Sequence, residues 1–106
     1  MAPPDTNKTF AALRADLDRE RINLIDADLD TGMTFLRIAD TELGLGNLER
    51  TQTLIAKART AYDAIGKLLI PVTESEEQSR LRDRHQALDA AIQEMERRKR
   101  RYEKET

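Results

Sequence analysis

Small and apolar residues recur along this chain at alternating spacings of three and four, in three separate blocks. The first is Ile22, Ile25, Leu29, Gly32, Leu36, Ala39 and Leu43. The second is Leu48, Thr51, Ile55, Ala58, Tyr62, Ile65 and Leu69. The third is Leu81, His85, Leu88, Ile92, Met95, Lys99 and Tyr102. That spacing puts every member of a block on one stripe of an α-helix, and no strand-like alternation is sustained anywhere. It predicts an all-α protein: an antiparallel, up-down-up three-helix bundle of long amphipathic helices, in one domain over residues 1–106.

Punctuation between the blocks supports those boundaries. Gly44 is a candidate left-handed stop and Gly46 frees the turn, while Asn47 is a good N-cap for the second helix. Pro71 should push Ile70 out of helical geometry and end that helix near Leu69. Thr73 and Glu76 form a capping-box pattern. The helices are therefore expected at about 8–43, 47–69 and 74–103, with residues 1–7 flexible. Arg97 to Arg101 would supply cations at the C-terminal end of the third helix.

Short turns make neighbouring helices antiparallel. Gly32 is then expected near Ala58 and Tyr62, leaving room for the Tyr62 ring. His85 is expected level with Tyr62, where a hydrogen bond would satisfy both polar groups.

Phe10, Leu13, Leu17 and Leu24 share a stripe that is rotated well away from Ile22 and Ile25. No Gly or Pro interrupts residues 5–31, and Ala11-Ala12-Leu13-Arg14-Ala15 propagates a helix well. One long first helix is expected, with a break near residues 18–22 as the alternative. Straight continuation would carry Phe10, Leu13 and Leu17 past the bundle and expose an apolar strip, which soluble monomers seldom leave bare. The third helix would pass the first turn near Arg97 and leave Tyr102 beyond the other end. Phe10, Leu13 and Leu17 are the candidate partner-binding residues, for a protein partner or a second copy in a homodimer.

Composition narrows the chemistry. Apolar residues are 39% and charged residues 36%, with a net charge of −2, which gives no global pull towards nucleic acid or membrane. The absence of Cys excludes disulfides and thiolate metal sites. Asp26, Asp28, Asp30 and Gly32 imitate the start of a calcium loop, but Thr31 and Arg37 stand where it needs Gly and a bidentate acid. Gly44-Leu45-Gly46 follows a helix, not a strand, so it is no dinucleotide loop. His85 is the single imidazole. Neither an enzyme nor a cofactor is expected. Arg97, Arg98, Lys99, Arg100 and Arg101 could bind an anionic partner, with Tyr102 for stacking. Glu94, Glu96, Glu103 and Glu105 flank that run, so nucleic acid ranks below a protein partner. With no apolar stretch of signal or membrane-spanning length, the expected location is the cytoplasm.

Phe35, Ile38 and Ala39, then Gly46, then Ile55 and Ala58 fall where a tetratricopeptide repeat places its small and apolar residues. Residues 35–58 thus resemble a single tetratricopeptide-type helical hairpin. Glu42 stands where that repeat has an aromatic, and Thr51 where it has Ala. The resemblance implies hairpin packing and a protein-binding role, and carries over no peptide-binding residues.

Overall fold

The computed structural model describes residues 6–70 and 75–105, and these form three helices: α1 (Thr6–Gly44), α2 (Leu48–Leu69) and α3 (Ser75–Glu105). The fold is an all-α three-helix bundle, with no strand among the described residues. α1 is unbroken through residues 18–22, because nothing in that stretch costs enough helix propensity to interrupt it. At 39 residues it is about 58 Å long. The molecule is a rod: its radius of gyration is 19.0 Å, against about 13 Å for a compact domain of this length.

The three stripes meet along the rod axis. Ile25, Leu29, Leu36, Ala39 and Leu43 of α1 are buried against Ile55, Ala58, Ile65 and Leu69 of α2 and Leu81, Leu88, Ile92 and Met95 of α3. The remaining stripe members are buried or half-buried. Thr51 can be fully buried because its hydroxyl donates to the Asn47 carbonyl at 2.7 Å. Leu54 joins the core from outside the stripes.

The first turn is tight and fully bonded. The Gly46 amide donates to the Leu43 carbonyl at 3.0 Å and the Asn47 amide to the Glu42 carbonyl at 2.9 Å, the paired bonds of a Schellman ending. Its left-handed residue is Gly46, at φ 77°, and not Gly44. The first glycine is the last residue of the helix, so the second makes the turn. Asn47 then caps α2, its side chain accepting from the Arg50 amide at 3.2 Å.

Three further expectations need correction. Ile70 keeps helical dihedrals (φ −54°, ψ −46°), although α2 does end at Leu69. The steric bias before a proline is a preference that the flanking helix here outweighs. Pro71 and Thr73, the other half of the expected punctuation, lie outside the described residues. Gly32 makes room for Leu88 of α3, not for Tyr62. A Cβ there would sit 3.0 Å from one Leu88 methyl and 3.2 Å from the other. Tyr62 needs no such space, because its ring stacks flat on His85 with centroids 3.9 Å apart. Last, Tyr102 does not overhang: a Cβ on Gly46 would lie 2.8 Å from its hydroxyl, so the ring closes over the first turn. α3 stays alongside the bundle to its end, and the bundle's surplus length is the N-terminal arm of α1.

Candidate functional site

The arm is where the structure leaves apolar surface uncovered. Phe10, Leu13 and Leu17 are 64%, 53% and 62% exposed, and Leu24 is 49% exposed where α1 enters the bundle. At 100° per residue the four lie on one stripe, about 100° around α1 from the core stripe. The same stripe continues upward through Thr31, Phe35 and Ile38. There it borders a groove of about 670 Å³ between α1 and α2.

The groove has Asp28, Thr31 and Phe35 on its α1 wall, with Ala56, Thr60 and Ala61 among the residues of its α2 wall. Its threonines are polar in name only. The Thr31 hydroxyl donates to the Ala27 carbonyl at 3.0 Å and that of Thr60 to the Ala56 carbonyl at 3.0 Å. Thr53, at the groove's upper end, does the same to Glu49 at 3.1 Å. Hydroxyls spent on their own helix ask nothing polar of a visitor. Lys57 sits at the lip, its ammonium 5.8 Å from the Phe35 ring centroid. Small side chains on α2 and one aromatic on α1 thus leave a shallow, mostly apolar trough wide enough for side chains of a further helix.

On the opposite side of α1, ion pairs hold α3. Arg80 makes two 2.9 Å hydrogen bonds to Asp26, one to each carboxylate oxygen. Arg84 bridges Asp26 at 2.6 Å and Asp30 at 2.8 Å. Hydrogen bonding from Arg80 is the largest influence on the Asp26 carboxyl and, with the smaller help of Arg84, outweighs the opposing effect of burial and holds it below its usual range. The aspartates that resemble a calcium loop are therefore helical, and two of them are clamps to α3. Between α2 and α3, Arg59 bonds Asp89 at 2.9 Å, and this hydrogen bond lowers the Asp89 pKa. His85 adds a half-buried link. Its Nε2 lies 2.8 Å from the Tyr62 carbonyl, which can only accept, so Nε2 carries the proton. The pairing level expected from sequence is right, but the ring stacks and the bond goes to backbone.

The basic run is mostly engaged. Arg97 pairs with Glu94 at 2.6 Å, Arg98 with Asp40 at 2.6 Å, and Lys99 with Glu103. Arg97 also lowers the Glu94 pKa through its hydrogen bond. Only Arg100 and Arg101 are exposed without a salt bridge to another described residue. The run does not end the helix either. α3 continues to Glu105, and its last-turn cation is Lys104, so the dipole argument applies to that residue instead. Tyr102 is held against the turn and takes part in further interactions, which removes it as a stacking platform.

The sequence pointed to the arm but not to the groove that continues it, because the groove is built from residues that read as polar or small. Among the described residues no helix is long and apolar enough to cross a membrane. No protein-family model matches this chain, and comparison with curated proteins and with solved structures finds no match.

Proposed function

We propose that this chain is a non-enzymatic assembly module that recognises another helix through the outer stripe of α1. The observation that carries this reading is the arm: three large apolar side chains, more than half exposed, on a helix longer than both its neighbours. Exposed apolar strips of this kind are characteristic of helix-docking surfaces, where contacts at i, i+3 and i+7 anchor a partner helix. The tetratricopeptide-type resemblance of residues 35–58 points the same way. A cytoplasmic setting is part of the proposal, and rests on the charged, cysteine-free composition.

The test is retention of a partner, or of a second copy, on the immobilised chain and on its Phe10→Glu/Leu17→Glu variant. Binding that the double variant abolishes, and that persists from low to high salt, supports apolar helix recognition. Equal behaviour of both proteins ends it. The second reading, an anionic partner held by Arg97 to Arg101, has in its favour Arg100 and Arg101, which are exposed and make no salt bridge to another described residue. It would show as binding that falls steeply with salt and is lost in Arg100→Ala/Arg101→Ala while the arm variant is unaffected.

A further inference from the structure

We propose that the helix recognised is α1 of a second copy of this chain, lying antiparallel with the twofold axis at Leu24, so that each arm fills the other copy's α1–α2 groove. This deepens the proposed function and rests on that reading.

The stripe is self-complementary about its midpoint. With Leu24 facing Leu24, antiparallel pairing brings Leu17 opposite Thr31, Leu13 opposite Phe35 and Phe10 opposite Ile38. All of these fall within about 80° of arc on α1, so a single face makes every contact. Below the axis the stripe is bulky and exposed among the described residues. Above the axis the same stripe is flanked by the small residues of α2 and leaves a trough. Leu17 and Leu13 therefore fall beside Thr31, Phe35 and the small α2 residues of the trough, and Phe10 packs on the exposed Ile38, twice, as an isologous interface requires.

Geometry and charge agree with that register. α3 occupies the other side of α1, through Asp26, Asp30 and Asp40, so it does not obstruct the approach. The axis also brings Arg21 to within one residue's rise of Asp28 on the second copy, on the flank nearer α2, which gives two opposite-charge pairs. Arg14 comes level with Lys57, a like-charged approach that two long side chains relieve by turning to solvent. The contact runs from Phe10 to Ile38, about 42 Å along the helix. One helix width over the arm and two over the groove give about 600 Å² per chain, near the lower bound of specific interfaces.

Because the protein has no cysteine, single-cysteine variants report the register directly. Leu24, Leu17 and Thr31 are exposed, so these substitutions leave the core intact. A bismaleimide spanning about 8–10 Å, the separation of packed helix axes, should link Leu24→Cys to itself. It should also link Leu17→Cys to Thr31→Cys in a mixture, and leave Leu17→Cys alone unlinked. Thr60→Trp, which fills the groove from its exposed wall, should weaken association at least tenfold in sedimentation with an unchanged circular dichroism spectrum. Self-linking by Leu17→Cys would mean parallel arms and overturn the proposal. So would a monomer throughout tens of micromolar, the range expected for weak association. If that monomer still loses a partner in the Phe10→Glu/Leu17→Glu variant, self-pairing fails and helix recognition stands. If arm variants change nothing, both fail.

Discussion

Leu17 and Leu29 belong to the same helix and the same residue type, yet one is 62% exposed and the other 1%. Above Arg21, α1 is enclosed by two neighbours, with a core stripe, ion pairs to α3 and a groove shared with α2. Below it, α1 carries a stripe just as apolar that is left exposed, while α3 reaches another face of the helix, where Ala15, Asp18 and Arg19 line a hollow with Glu77 and Arg80. The difference lies in length: α2 has 22 residues and α3 has 31, against 39 in α1. Periodicity identifies a face that wants covering. Which parts of it are covered depends on where the other helices stop.

The sharpest way to break this comparison is to truncate side chains on both halves. Leu36→Ala or Ile55→Ala should cost about 2–5 kcal/mol of stability in urea unfolding, since each leaves a cavity in the bundle core. Leu17→Ala should stay within about 0.5 kcal/mol at concentrations where the chain is monomeric, as surface changes do. A large loss from Leu17→Ala would place the arm inside the folding unit.

Glycines sharpen the picture within the enclosed half. Gly32→Leu should destabilise by about 1–3 kcal/mol through overpacking, because a Cβ alone already crowds Leu88. A stabilised variant would mean that this position faces water. Gly66 sits in the same bundle but meets His85 only at ordinary contact distance, 3.6 Å from a Cβ. Gly66→Ala should therefore raise stability by up to about 1 kcal/mol, the gain in helix propensity.

Acid gives the smallest and most selective effect. The Asp26 carboxyl is depressed by Arg80 and Arg84, so it binds protons less readily folded than unfolded. Its contribution is fully present above the unfolded value, about 3.9, and is lost as pH falls through the lower folded value. The urea midpoint of the wild type should drop through that window more than that of Asp26→Asn. Equal slopes would show that the clamp between α1 and α3 adds nothing.

Much of the fold is legible in the residues themselves. The three stripes locate the core, and Asn47 announces the start of α2. What escapes the sequence is anything set by inter-helix register. Gly32 reads as facing Tyr62 when α1 is set against α2 alone, whereas a core position in a three-helix bundle faces two neighbours. Tyr102 looked like an overhang because the closure of its ring over Gly46 depends on how far α3 slides. The candidate site was half legible: Phe10, Leu13 and Leu17 stand out as large apolar residues out of phase with the core. Thr31, Thr53 and Thr60 conceal the groove, since a hydroxyl bonded to its own backbone reads as polar and behaves as apolar.

Asn47 closes the Schellman ending of α1 with its amide and begins α2 with its side chain, so no residue separates the two helices' terminal hydrogen bonds. The end of one helix cannot fray without loosening the start of the other. Amide protons from Leu45 to Thr51 should therefore exchange with deuterium as one cooperative group, opening together at one free energy and not in the graded series of an ordinary helix end. Asn47→Ala would uncouple the group on the α2 side alone, speeding exchange at Arg50 ahead of Gly46.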